Sequence, residues 1–164
     1  MLIFAPKKDF PVSSNNTLMI KSIRTIDIDC HLKGRRSVID YFSEALESPY
    51  KGDNWDGFQE VITDLGWLNC KKIVVLHHSL PSLSEEETLI YISSLDYASE
   101  CWDRFDELSK RAIEEYTLRG VFIPEDCWVN HKLSMDIFFR EDDRPIVEHN
   151  IQLARLKWGY PYRY

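Results

Sequence analysis

Six polar side chains crowd one short stretch of the chain: Tyr50, Asp53, Asn54, Asp56, Gln59 and Glu60. Asp56 and Glu60 stand four residues apart, one helical turn, with Thr63 three further on along the same stripe. Two carboxylates at that spacing could serve as an acid–base pair, but catalytic carboxylates need a cleft that perturbs their acidity. An outward helix face supplies neither desolvation nor enclosure of a substrate. What it can supply is fixed negative charge for a basic partner. The adjacent His77 and His78 suggest a metal, yet neighbours on a strand point to opposite faces and cannot readily ligate one ion. One is expected to be packed and the other to face solvent. The chain has no His-Glu-x-x-His, no glycine-rich phosphate loop, no Gly-x-Ser-x-Gly and no Cys-x-x-Cys. The reading is a non-enzyme, with no metal and no cofactor.

The elements that must hold these residues are legible on both sides. Pro49 to Asn54 is a turn-rich loop: Pro49 stops the preceding helix, Gly52 allows a sharp turn, and Asp53 or Asn54 can cap the next helix. From about Trp55, the residues Trp55, Phe58, Ile62 and Leu65 form one apolar stripe that anchors the helix from behind. Upstream, residues 1–16 read as an irregular lead-in, and Leu18–Ile28 as the first strand. Gly34 breaks that strand and Ser37 is the expected cap of a helix carrying Val38, Tyr41, Phe42, Ala45 and Leu46 to about Glu47. Arg35 and Arg36 sit just before it, where the helix dipole disfavours positive charge.

Downstream, Lys71 to His77 is a continuous apolar run that predicts a strand buried on both faces. Ser84 and Glu87 spell a capping box for a helix whose buried line is Ile92, Leu95, Ala98, Trp102 and Phe105. A further helix is expected over Asp106–Arg119 (Leu108, Ala112, Ile113, Tyr116), then an irregular segment around Pro124 and Cys127. A strand at Leu133–Arg140 and a last helix with Val147, Ile151, Ala154 and Trp158 on one face complete the chain.

At the polar stretch the spelling Tyr-x-Gly-x-Asn-x-Asp, followed by an aromatic and an acid on a helix, resembles the barstar family, intracellular inhibitors of secreted ribonucleases. Asn-Trp-Asp and Asp-Leu-x-Trp are similar to its longer bacterial members. The resemblance implies an α/β fold: a three-stranded parallel sheet with helices packed over it, in one domain. It covers about 20–104 and 133–140, leaving an insertion over 105–132 and a C-terminal extension over 144–164. It further implies that Glu60 enters a nuclease active site where a phosphate would bind, and that Asp56 pairs with basic side chains there. Tyr50 packs on the enzyme's rim, Gly52 and Asn54 make backbone and amide contacts, and Thr63 a peripheral one. Gln59 stands where barstar has a tryptophan, Lys51 where an aromatic is usual, and Glu60 is a methylene longer than the usual aspartate. A further family acid on a later helix has three candidates, Asp96, Glu100 and Glu115. These departures point to a ribonuclease partner other than the best-known one, such as a toxin domain encoded alongside. The rival reading is a barstar-like scaffold without a nuclease partner, its added helices forming a dimer or regulatory interface.

Composition agrees with that frame. The 164 residues are 44% hydrophobic and carry a net charge of −7, which disfavours nucleic acid and anionic membranes and suits a basic partner. The aromatic tail after Gly159 could stack on RNA, but it has too little positive charge near it. No apolar run is long enough to span a membrane, and the opening Met-Leu-Ile-Phe-Ala lacks the basic region of a signal peptide. Cys30, Cys70, Cys101 and Cys127 are therefore expected to be reduced, mostly buried thiols in a cytoplasmic protein.

Overall fold

The computed structural model describes residues 1–6, 9, 23–120 and 133–159. Its strands are β1 (Leu2–Ala5), β2 (Ile23–Ile28), β3 (Lys72–His77) and β4 (Ser134–Arg140). They form one fully parallel sheet in the order β1-β4-β3-β2. The helices are α1 (Gly34–Ala45), α2 (Trp55–Thr63), α3 (Glu85–Asp103), α4 (Phe105–Leu118) and α5 (Arg144–Trp158).

Among the described residues the sheet thus has four strands where three were expected. The extra one is β1, inside the stretch read as an irregular lead-in. Its four residues show no alternation to betray a strand. Its pairing is long-range, with Leu2 opposite Ile137 and Ala5 opposite Arg140. Of the expected first strand, Ile23–Ile28 is seen as β2, and residues 18–22 lie outside the described residues. So do Ser13 to Asn16, Pro124, Cys127 and the tail after Gly159.

β3 is the sheet's most buried strand, with Ile73 to His77 all buried. Its Ile73 and Val75 join Ile26, Ile28, Met135, Ile137 and Phe139 on the face that meets the helices. Against them pack Val38 and Phe42 of α1, Leu46 just after it, Phe58 and Ile62 of α2, Tyr91 and Leu95 of α3, and Val147 of α5. Full burial of a side chain such as Phe58 stabilises by about 1.5–3 kcal/mol.

Two local expectations are corrected. Ser37 is not the cap of α1: the helix begins at Gly34, whose φ of 71° suits glycine, and Ser37 Oγ bonds back to the Lys33 carbonyl at 2.8 Å. Phe105 does not continue the line of α3 but opens α4, its ring stacked on Trp102 at 5.3 Å. The capping box of α3 forms as read, Ser84 and Glu87 each binding the other's backbone N–H. The described cysteines are free thiols, but Cys30 is exposed and Cys70 and Cys101 only half-buried, so the expected burial does not hold.

The two histidines divide as expected. His77 is fully buried, stacked on Phe139 at 4.1 Å, with Nδ1 3.1 Å from the Phe138 carbonyl and Nε2 2.8 Å from the Tyr91 hydroxyl. A carbonyl only accepts, so Nδ1 carries the proton and Nε2 accepts from Tyr91. Burial pushes its pKa down to about 3, against a weaker upward pull from the Phe138 carbonyl. His78 is exposed and meets Asp27 at 2.7 Å.

Candidate functional site

α2 is short, nine residues, and its orientation is fixed from behind by Trp55, Phe58, Val61 and Ile62, all buried. Phe42 and Trp55 meet the Phe58 ring edge-on at 5.1 and 5.5 Å. Trp102 of α3 donates its indole N–H to the Ile62 carbonyl at 3.1 Å. With this face gripped, Asp56 and Glu60 point away from the core and are exposed. Gln59 and Thr63 lie beside them, half-buried, and Thr63 Oγ1 returns to the Gln59 carbonyl at 2.7 Å.

The loop before α2 is held at four points. Asn54 caps the helix, its side chain accepting from the Gly57 N–H at 2.8 Å. Gly52 lies flat against Gly57: a Cβ on Gly52 would fall 2.5 Å from the Gly57 carbonyl carbon, and one on Gly57 2.7 Å from the Gly52 Cα. Only two glycines permit that approach. Arg36, in the first turn of α1, reaches Asp53 at 2.7 Å and Asp40 at 2.9 Å. That pairing accounts for one of the two arginines at an unfavourable helix end. Tyr50 packs edge-on against Trp67 at 5.2 Å and donates its hydroxyl to Asp64 at 3.1 Å. Trp67 in turn donates to the Leu46 carbonyl at 2.9 Å, tying the loop to the end of α1.

The structure therefore brings Tyr50, Gly52, Asn54, Asp56, Gln59, Glu60 and Thr63 onto one loop–helix unit. It adds two residues that the sequence reading did not assign to this surface. Asp64, the exposed residue that ends α2, follows Glu60 by four as Glu60 follows Asp56, and adds a third carboxylate at the end of the helix. Gly57 carried no signal, because its role is the contact with Gly52. Partial burial beside Asp64 and Glu60 pushes the Tyr50 phenol up to about 12, with desolvation the largest cause and the Asp64 charge and hydrogen bond next. Tyr50 is thus a neutral donor throughout the physiological range.

The acids of the later helices are engaged elsewhere. Asp96 faces α5 and pairs with Arg155 at 3.3 Å. Glu100 lies 3.7 Å from Arg104, and Glu115 pairs with Arg119 on α4. Among the described residues no three His, Cys, Asp or Glu side chains are grouped to hold a metal ion. Nor, among them, is any helix long and apolar enough to cross a membrane.

A family model described as barstar (barnase inhibitor) matches residues 23–114. The chain belongs to the barstar family. The match takes in β2, α1, the whole loop–helix unit, β3 and α3, and runs into α4. Barstar is an inhibitor family, not an enzyme family, and membership points in outline to a ribonuclease-inhibitor-like role for the chain. No curated protein and no solved structure matches the chain. The mixed α/β architecture with its parallel sheet is consistent with a barstar fold that carries one strand more than expected.

Proposed function

We propose that this protein binds a basic ribonuclease and blocks its active site with the surface formed by Tyr50, Gly52, Asn54, Asp56, Gln59, Glu60 and Thr63. The observation that carries the reading is the exposure of Asp56 and Glu60 on a helix whose opposite face is wholly buried. A ribonuclease cleft is shaped and charged for phosphates. A carboxylate delivered on a rigid ridge satisfies the same cationic groups and leaves no room for RNA. Glu60 is the plug, Asp56 pairs with flanking basic side chains, and Tyr50 packs on the rim. Lys51, exposed in the same loop, adds a cation that favours a partner with an acid at its edge. That partner is a ribonuclease domain other than barnase, and the setting is immunity of a bacterial cytoplasm against a ribonuclease toxin.

Because the loop and helix are braced before any partner arrives, little ordering entropy is lost on binding. The test is capture of ribonuclease activity from the source cells on immobilised protein, repeated with Glu60→Ala and Asp56→Ala. Each substitution is expected to weaken binding roughly thirtyfold or more while leaving the fold intact. Undiminished capture by both variants would remove the site from this surface. A protein that captures no ribonuclease would instead favour a scaffold role.

A further inference from the structure

Among the described residues every arginine but Arg35 stands in an ion pair. Arg35 is exposed and meets no carboxylate among them. Its place makes that unpaired charge unfavourable. It lies in the first turn of α1, which has no acid in that turn and no side-chain cap, where the helix dipole opposes a cation. Lys33, the N-cap residue, is likewise exposed and without an ion pair among the described residues. The helix start is tied down: the Gly34 N–H donates to the Ser82 carbonyl at 2.9 Å, and the Ser82 N–H to the Leu32 carbonyl at 2.8 Å.

This start of α1 borders the loop that leads into α2, because Arg36 reaches Asp53 of that loop at 2.7 Å. The charge of Asp53 is thus answered within the chain. What the loop still offers a partner is Lys51, exposed and with no ion pair among the described residues. The surface is therefore divided: carboxylates of Asp56, Glu60 and Asp64 along α2 and its end, and free cations of Lys51, Arg35 and Lys33 on the loop and the helix start behind it. A stable interface takes about 20–30 residues a side. The ridge surface supplies fewer, so a partner seated on it also covers flanking surface.

We propose that Arg35, Lys33 and Lys51 dock carboxylates of the same ribonuclease, at the rim of its cationic cleft, and so select which nuclease is bound. This rests on the ridge being the surface that enters the cleft. The partner then has a divided face of its own, basic where it meets Glu60 and acidic where it meets Arg35 and Lys51. A ribonuclease that is basic all round its cleft sets its own cations against these residues. Selection therefore works by repulsion of the wrong nuclease as well as attraction of the right one. Charges at a rim act chiefly on the association rate.

Capture of ribonuclease activity from the source cells on the immobilised full chain tests this, with Arg35→Glu and Lys51→Glu combined. The direction of the change decides. The double variant is more acidic than wild type, so a uniformly basic partner would be captured better. The divided partner is expected to be captured roughly tenfold less at low salt. Acid in the first turn of α1 suits the helix dipole, so the variant should unfold at a slightly higher urea concentration while binding worse, which separates a lost contact from a lost fold. Undiminished or improved capture would overturn the proposal. So would a single-stranded RNA oligonucleotide that wild type binds and the variant does not, by making phosphates the ligand of these cations. Glu60→Ala, run alongside, keeps the two readings apart. Loss of capture with Glu60→Ala but not with the double variant sinks this proposal alone, whereas a wild type that captures nothing sinks the ridge reading and this one with it.

Discussion

Tyr50 and Asp64 show how a single side-chain pair shapes the surface. The phenol donates to Asp64 and lies edge-on to Trp67, so it is held in one orientation before any partner arrives. Its elevated pKa, about 12, has burial as the first cause and Asp64 as the next. Asp64→Ala is therefore expected to lower the Tyr50 titration without returning it to the ordinary phenol value, as read by difference absorbance at high pH against a Tyr50→Phe control. At this scale Asp56 and Glu60 were legible because helical periodicity separates them from the apolar stripe of Trp55, Phe58 and Ile62. Asp64 obeys the same step but caps the helix end, where periodicity stops being informative. Arg36 was the harder case. Its dipole position argues against it, and only the fold brings Asp53 within reach.

The decisive device at the scale of elements is the contact of the loop with the first turn of α2. Gly52 has an ordinary φ, so its requirement is space. A methyl there would overlap Gly57 backbone that cannot yield as a side chain could. Gly52→Ala is expected to destabilise by about 1–3 kcal/mol in urea unfolding, since either the loop or the helix start must move. Asn54→Ala should cost about 1 kcal/mol through the lost cap, a smaller effect because the Gly57 N–H lies near solvent. The Asn54 cap and the Ser84–Glu87 box could be read directly, because capping depends on residues a few positions apart. The start of α1 could not. Ser37 has a capping residue's identity, but the chain enters that helix earlier, through Gly34, whose N–H is bound by the distant Ser82 carbonyl at 2.9 Å. β1 was hidden for the same reason: its ladder partner lies more than 130 residues away, and no local pattern encodes that pairing.

For the whole molecule, the buried His77 couples stability to pH. Its pKa falls from 6.5 to about 3 on folding, so below pH 6.5 the unfolded chain takes up a proton that the folded chain refuses. Stability is fully present above pH 6.5 and declines as pH falls towards 3, by roughly 2 kcal/mol at pH 5. His77→Gln is expected to flatten that slope in urea titrations between pH 7 and pH 5, while lowering stability at pH 7 through the lost stacking on Phe139. The net charge of −7 acts at longer range. Association with a basic partner should slow as salt is added, chiefly in the on-rate.

Complete charge reversal on the ridge, Asp56→Lys with Glu60→Lys, tests the central claim most directly. Wild-type and reversed proteins, matched for stability, are immobilised and the ribonuclease activity captured from source cells is measured. Wild type is predicted to retain a ribonuclease whose activity appears only after elution, and the reversed protein to retain none. Equal capture by both would contradict the account.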